Sequence, residues 1–260
     1  MVIGRRSLLV AGATIPTAAY GQCVINAPAV DACRGGVRNA GPAGATLDLN
    51  FMFPGSLDPR ITFSRASTAT YTDIAGVTQT AAVNQPRWDY DPVTHALRGL
   101  LIEGASAPRA ADIMTMPTAG WFSATAGTIV TEALLPPPNT GFRGIFDLDG
   151  GAFNIWLRAY TNGGTADITG NVDTTPLTFG TMTPGTPFKI AATYSAAGTR
   201  VAFNGVMGTG TATVSTPATY TTLRLGVTDS GNNNAANGHI RRVQYWPRVL
   251  SDAELQAVTT

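Results

Sequence analysis

The residues best spaced for chemistry in this 260-residue chain are two acids, Asp147 and Asp149, in the stretch "IFDLDGG". Side chains alternate along a strand, so residues two apart share a face, and the two carboxylates should stand side by side. Three uses are open to such a pair. It can supply the acid and base of a glycosidase, or bind calcium together with nearby carbonyl oxygens. It can also be two solvated acids where a strand runs into the turn at Gly150 and Gly151, the ordinary form of a strand end and the one favoured here.

A second group is neutral. The stretch "DSGNNNAANGH", residues 229 to 239, concentrates side-chain amides at Asn232, Asn233 and Asn234. A sugar site needs such convergent donors and acceptors beside an aromatic platform, for which Trp156, Tyr160 and Tyr245 are candidates; a plain surface loop is the alternative. His95, in the turn "DPVTHA", and His239, entering a strand, are read as exposed or packing histidines. Arg241 and Arg242 are neighbours in one strand and point to opposite faces, which suits ion pairing. The chain has no His-Glu-x-x-His helix, no Gly-x-Ser-x-Gly elbow and no Gly-Lys-Ser phosphate loop. We therefore expect a protein that is not an enzyme and takes no cofactor.

Composition narrows the partners. Charged residues make up 13% of the chain, the formal net charge is +1, and Lys189 is the sole lysine. That is too sparse for a broad basic surface, so no nucleic acid is expected. The longest apolar stretch, around Leu8 to Val10, is short and broken by Pro16, so no membrane span is expected. Cys23 and Cys33 are too few to hold a metal alone. They form either a local disulfide around a short proline-containing loop or two free thiols.

These residues must be positioned by strands. Gly and Pro are abundant and helix-favouring Glu, Lys and Gln scarce, which points to an all-β protein. Residues 1–45 hold neither helical nor strand period for long and read as an extended arm. Residues 46–105 read as a small β meander: "LDLNF" alternates, Asp73-Ile74-Ala75-Gly76 is a hairpin turn, and Asp91-Pro92 begins another. Residues 106–126, with Pro108, Pro117 and Gly120, read as a connection. Residues 127–260 carry regularly spaced strand-like runs, as an antiparallel jelly-roll β-sandwich does. Ser251 with Glu254 is a capping box, so one short terminal helix should close the chain, with Leu255 and Val258 docked.

Two stretches resemble known families. "ITFSRASTATYTDIAGVTQTAAVNQPRWDYDPVTHALRGLLIE", residues 61 to 103, resembles a module of tailed-bacteriophage virion proteins of head-spike or tail-fibre type. Trp88 stands where that family usually has Phe, and "GASAPR" replaces its Arg-Thr-Asn continuation. "GHIRRVQYWPRVLSDAELQAV" resembles the closing strand and helix of laminin-G-like, concanavalin-type jelly rolls.

The first resemblance implies a structural protein of the phage particle, most simply a capsid decoration or head-spike protein at the virion surface, assembled in the host cytoplasm. Its partners would be capsid or tail proteins of the same virion, and it would form a homotrimer. A tail-fibre or carbohydrate-binding adhesin for host-surface glycans is the alternative, followed by a secreted glycan-degrading enzyme using Asp147 and Asp149. "GRRSLLVAGATIPTAAYGQC", residues 4 to 23, fits a twin-arginine export signal taken alone. Beside the virion resemblance we read it as a retained arm, with Leu8, Leu9, Val10 and Ile15 buried against a partner and Arg5 and Arg6 meeting acidic groups.

Overall fold

The computed structural model describes residues 42–137, 141–150, 156–161, 167–172, 175–209, 220–228 and 234–260. The arm residues Arg5, Arg6, Leu8, Leu9, Val10 and Ile15, and Cys23 and Cys33, lie outside them, as do Asn232 and Asn233.

Two antiparallel sheets pack face to face. In the first, β15 (Val206–Met207), β14 (Val201–Phe203), β13 (Phe188–Ser195), β8 (Ala126–Leu134), β17 (Gly238–Trp246), β6 (Leu97–Ile102) and β5 (Trp88–Tyr90) follow one another, and β1 (Leu47–Asn50) also pairs with β17. In the second the order is β12 (Thr175–Thr181), β11 (Asp167–Val172), β10 (Trp156–Thr161), β9 (Arg143–Asp149), β16 (Thr222–Leu225), β7 (Ile113–Pro117) and β2 (Thr62–Ser64). Hydrophobic alternation sends one side of each strand inward. Phe146 and Leu148 of β9 meet Leu157, Ile168, Leu223 and Ile190 in a single core. The architecture is thus nearly all-β, an antiparallel sandwich of two large sheets.

β3 (Ala69–Thr72) and β4 (Thr78–Ala81) form a separate hairpin. Its turn is built by Asp73, whose carboxylate accepts from the Ala75 and Val77 amides, while Gly76 takes φ +77°. The closing helix α1 (Asp252–Thr259) has the capping box, with Glu254 N–H donating to Ser251 Oγ and Ser251 N–H to the Glu254 carboxylate. Leu255 packs with Trp246, Leu250, Val130 and Ala191 on the outer side of the first sheet. No helix among the described residues is long and apolar enough to cross a membrane.

The structure corrects the expected division of residues 46–260. The stretch 46–105 is not a separate meander: β1 and β6 pair with β17, so these strands complete the first sheet. The expected connection 106–126 holds β7, which carries buried Met114 and Met116 inward and pairs with both β16 and β2. Pro117 does not break it, because the pairing to β2 ends at Thr115 and proline sits past that edge. Trp121 and Phe122 follow, packing with Tyr194, Tyr220 and Tyr245 between the sheets.

The charged letters of the 61–103 stretch meet in space. Arg65 and Arg87, both with fully buried side chains, converge on Asp112, at 3.0 and 2.5 Å, and Arg87 also reaches Glu103 at 2.7 Å. Their remaining donors are used on backbone: Arg65 on the Ser67 and Ala82 carbonyls, Arg87 on that of Thr70. Asp89 accepts from the Thr72 amide at 2.7 Å and contacts His239 Nε2 at 2.9 Å. Burial opposes the Asp89 charge, but the His239 and Thr72 hydrogen bonds outweigh it and hold the carboxyl below its ordinary range. Two buried arginines and two acids therefore staple the β3–β4 hairpin and the 106–112 segment to the sandwich.

Candidate functional site

The second sheet turns one face to the core and the other outward. Because Phe146, Leu148, Leu157, Ala159 and Leu223 point inward, their alternates face out. On β9 these are Asp147 and Asp149, and the register aligns them with the neighbouring strands: Arg158 of β10 and Arg224 of β16 both stand opposite Asp147. Further along the row Asn171 of β11 stands opposite Arg158, and Thr169 opposite Tyr160. Thr115 of β7 stands opposite Arg224.

Asp147 and Asp149 do share a face, as their spacing requires. They are not solvated: Asp147 is 0% exposed and Asp149 7%. The reason is the position of β9, a central strand with an arginine supplied from each side rather than a strand end opening to water. Arg158 Nε lies 3.5 Å from Asp147 and Arg224 Nη2 3.0 Å from Asp149. Each carboxylate is thus paired with a guanidinium. No three His, Cys, Asp or Glu side chains among the described residues gather as a metal cluster.

The arginines keep a partly open edge, and beyond them the face becomes aromatic. Tyr160 donates to Asn171 Oδ1 at 2.6 Å and lies 5.6 Å, centroid to centroid, from Phe142, which is 49% exposed. A tilted pair of aromatic rings beside the Asn171 amide, with Arg158 two residues along the same strand, offers an apolar surface edged by donors and acceptors. Such a surface suits a ring that is apolar on its faces and polar at its rim. Phe142 was not singled out in the sequence, where it stands directly before β9 with nothing to show that it meets Tyr160 of β10.

Other expected glycan residues fall elsewhere. Tyr245 cannot be a platform: it is fully buried, its hydroxyl is hydrogen-bonded to that of Tyr194, and burial pushes both phenols above their ordinary pKa. It points inward because β17 carries Val243 and Tyr245 to the core and Trp246 to the helix side. Trp156 lies on β10 opposite Asp149. Asn234, with φ +54°, donates through its side chain to Thr228 Oγ1 and accepts at its carbonyl from Gly144 N–H, so it shapes a turn. His239 is buried on Asp89, and His95 contacts the Ile74 carbonyl through Nδ1 at 3.0 Å. Arg241 pairs with Glu132 and Arg242 with Asp48.

Comparison with known proteins follows the same architecture. Residues 121–256 match the concanavalin A-like lectin/glucanases superfamily, and the chain belongs to that family. No curated protein matches it in sequence. Among solved structures it is similar to domain 4 of the extracellular arabinanase AbnA from Geobacillus stearothermophilus, in complex with arabinotriose. There the TM-score is 0.57 and the identity 12%, with 84% of this chain and 98% of that domain covered. It is also similar to Trypanosoma rangeli sialidase in complex with a difluorosialic acid, with a TM-score of 0.54 and 14% identity. That match covers 84% of this chain and 33% of the sialidase. At these identities the likeness is one of fold.

Proposed function

We propose that this protein is a non-catalytic carbohydrate-binding sandwich carried on the surface of a tailed-phage particle, where it contacts host-surface glycans. The observation that carries the carbohydrate reading is the pairing of exposed Phe142 with half-buried Tyr160 beside Asn171, with Arg158 and Arg224 further along the outer face of the second sheet. The family supports it, as does the arabinotriose held by the similar arabinanase domain. The virion location is supported by the 61–103 stretch, whose Arg65, Arg87, Asp89 and Glu103 act together in anchoring one hairpin. A homotrimer and capsid or tail partners belong to that same part of the proposal.

Glycan-array binding followed by calorimetry tests the carbohydrate part. Tyr160→Ala and Phe142→Ala should each weaken binding about tenfold or more, as truncating an aromatic anchor does, with the melting transition retained. Undiminished binding in both variants would remove this face as the site. Immunogold labelling of intact particles tests the location, and absence of the protein from purified virions would sink it.

A further inference from the structure

We infer that the saccharide taken by this outer face is a neutral one, read through hydroxyl groups, and that acidic sugars are disfavoured. The inference rests on the carbohydrate reading above and adds the charge class of the ligand.

Recognition of a carboxylate in a sheet face calls for a cation whose charge is not already spent. The strands of the second sheet contain three basic residues, Arg143, Arg158 and Arg224. Arg158 faces Asp147 and Arg224 faces Asp149, so each guanidinium of the outward row is matched by a carboxylate. Arg143 turns to the Pro136 carbonyl at 2.8 Å. The loop sequences 138–140, 151–155, 162–166, 173–174, 210–219 and 229–233 contain no lysine or arginine, while Asp173 and Asp229 fall within them. The sheet and its connections therefore hold no surplus positive charge, and an incoming carboxylate would meet Asp147 and Asp149 behind the guanidinium groups. A guanidinium engaged on one edge by a carboxylate still presents N–H donors on its other edge, which suits a sugar hydroxyl.

The test is calorimetric titration of the full chain with two panels of equal length. One panel is neutral pentose and hexose oligosaccharides; the other is sialyllactose and oligogalacturonate. The expected result is at least about tenfold tighter binding of a neutral member, a difference of about 1.4 kcal/mol. Its affinity should change less than about twofold between low and high salt, since no net ionic attraction is involved. Asp149→Asn, which releases Arg224, should raise affinity for the acidic panel at least about fivefold. The salt measurement on the unaltered chain serves if that variant fails to fold. Acidic binding as tight as neutral, or steeply salt-dependent binding, overturns the inference and leaves the carbohydrate reading standing. Absence of binding to either panel overturns the carbohydrate reading and this inference with it.

Discussion

Replacing Asp112 by alanine is the sharpest test of what holds the hairpin segment to the sandwich. Asp112 is 0% exposed and accepts from Arg65 Nη1, Arg87 Nη2 and the Glu103 amide. Removing one partner of a buried ion pair costs about 3–5 kcal/mol, because the remaining charge is left without compensation. The two arginines do not suffer equally. Arg87 keeps Glu103 at 2.7 Å, whereas Arg65 is left with the Ser67 and Ala82 carbonyls. One orphaned charge rather than two places the loss at about 3–4 kcal/mol.

At this chain length each kcal/mol is worth about 2–4 °C, so the melting temperature should fall by about 6–16 °C. Urea unfolding followed by tryptophan fluorescence measures the same quantity. The double variant Arg65→Met with Asp112→Leu removes the orphaned charge as well and should recover most of the loss. It also covers the case in which Asp112→Ala does not fold. A loss below about 1 kcal/mol for Asp112→Ala, or a double variant no more stable than the single, would refute the staple.

Two further outcomes follow from buried groups. Tyr194 and Tyr245 share a hydroxyl contact in the core and their folded pKa values are raised, so their stabilisation is intact below the ordinary phenol value of about 10 and is lost as pH rises past it. Ultraviolet titration should show these two phenols ionising only with unfolding; their smooth ionisation in a folded chain would contradict it. Gly144→Ala should cost about 1–3 kcal/mol in thermal unfolding, because a Cβ there would sit 2.6 Å from Val227 Cα, and an unchanged melting temperature would show that the 227–228 backbone gives way.

Much of the fold is legible in the chain. The β-branched alternation of "TIVTEALL" and "HIRRVQYW", the Asp73 to Gly76 turn and the Ser251 capping box each act over a few residues, and each appears where expected. What local pattern cannot carry is partnership. Asp147 and Asp149 share a face by spacing alone, yet their burial depends on Arg158 and Arg224 arriving on strands β10 and β16. Tyr245 alternates as a surface residue could, and only the packing of the two sheets decides which side of β17 is inside. The motif letters Arg65, Arg87 and Glu103 were visible as a pattern, while their common partner Asp112 lies beyond the stretch that carries it.

Strand β17 has a consequence for how the chain is made. It lies between β8 on one side and β1 and β6 on the other, and Arg242 bonds Asp48 across 194 residues of sequence. During synthesis those three neighbours all leave the ribosome before the strand that joins them, so the first sheet cannot close until translation has passed Trp246. Such long-range pairing makes folding slow and leaves strand edges open meanwhile. The sparse charge of the nascent chain gives those edges little protection, and truncation within residues 238–246 should yield aggregates rather than a smaller domain.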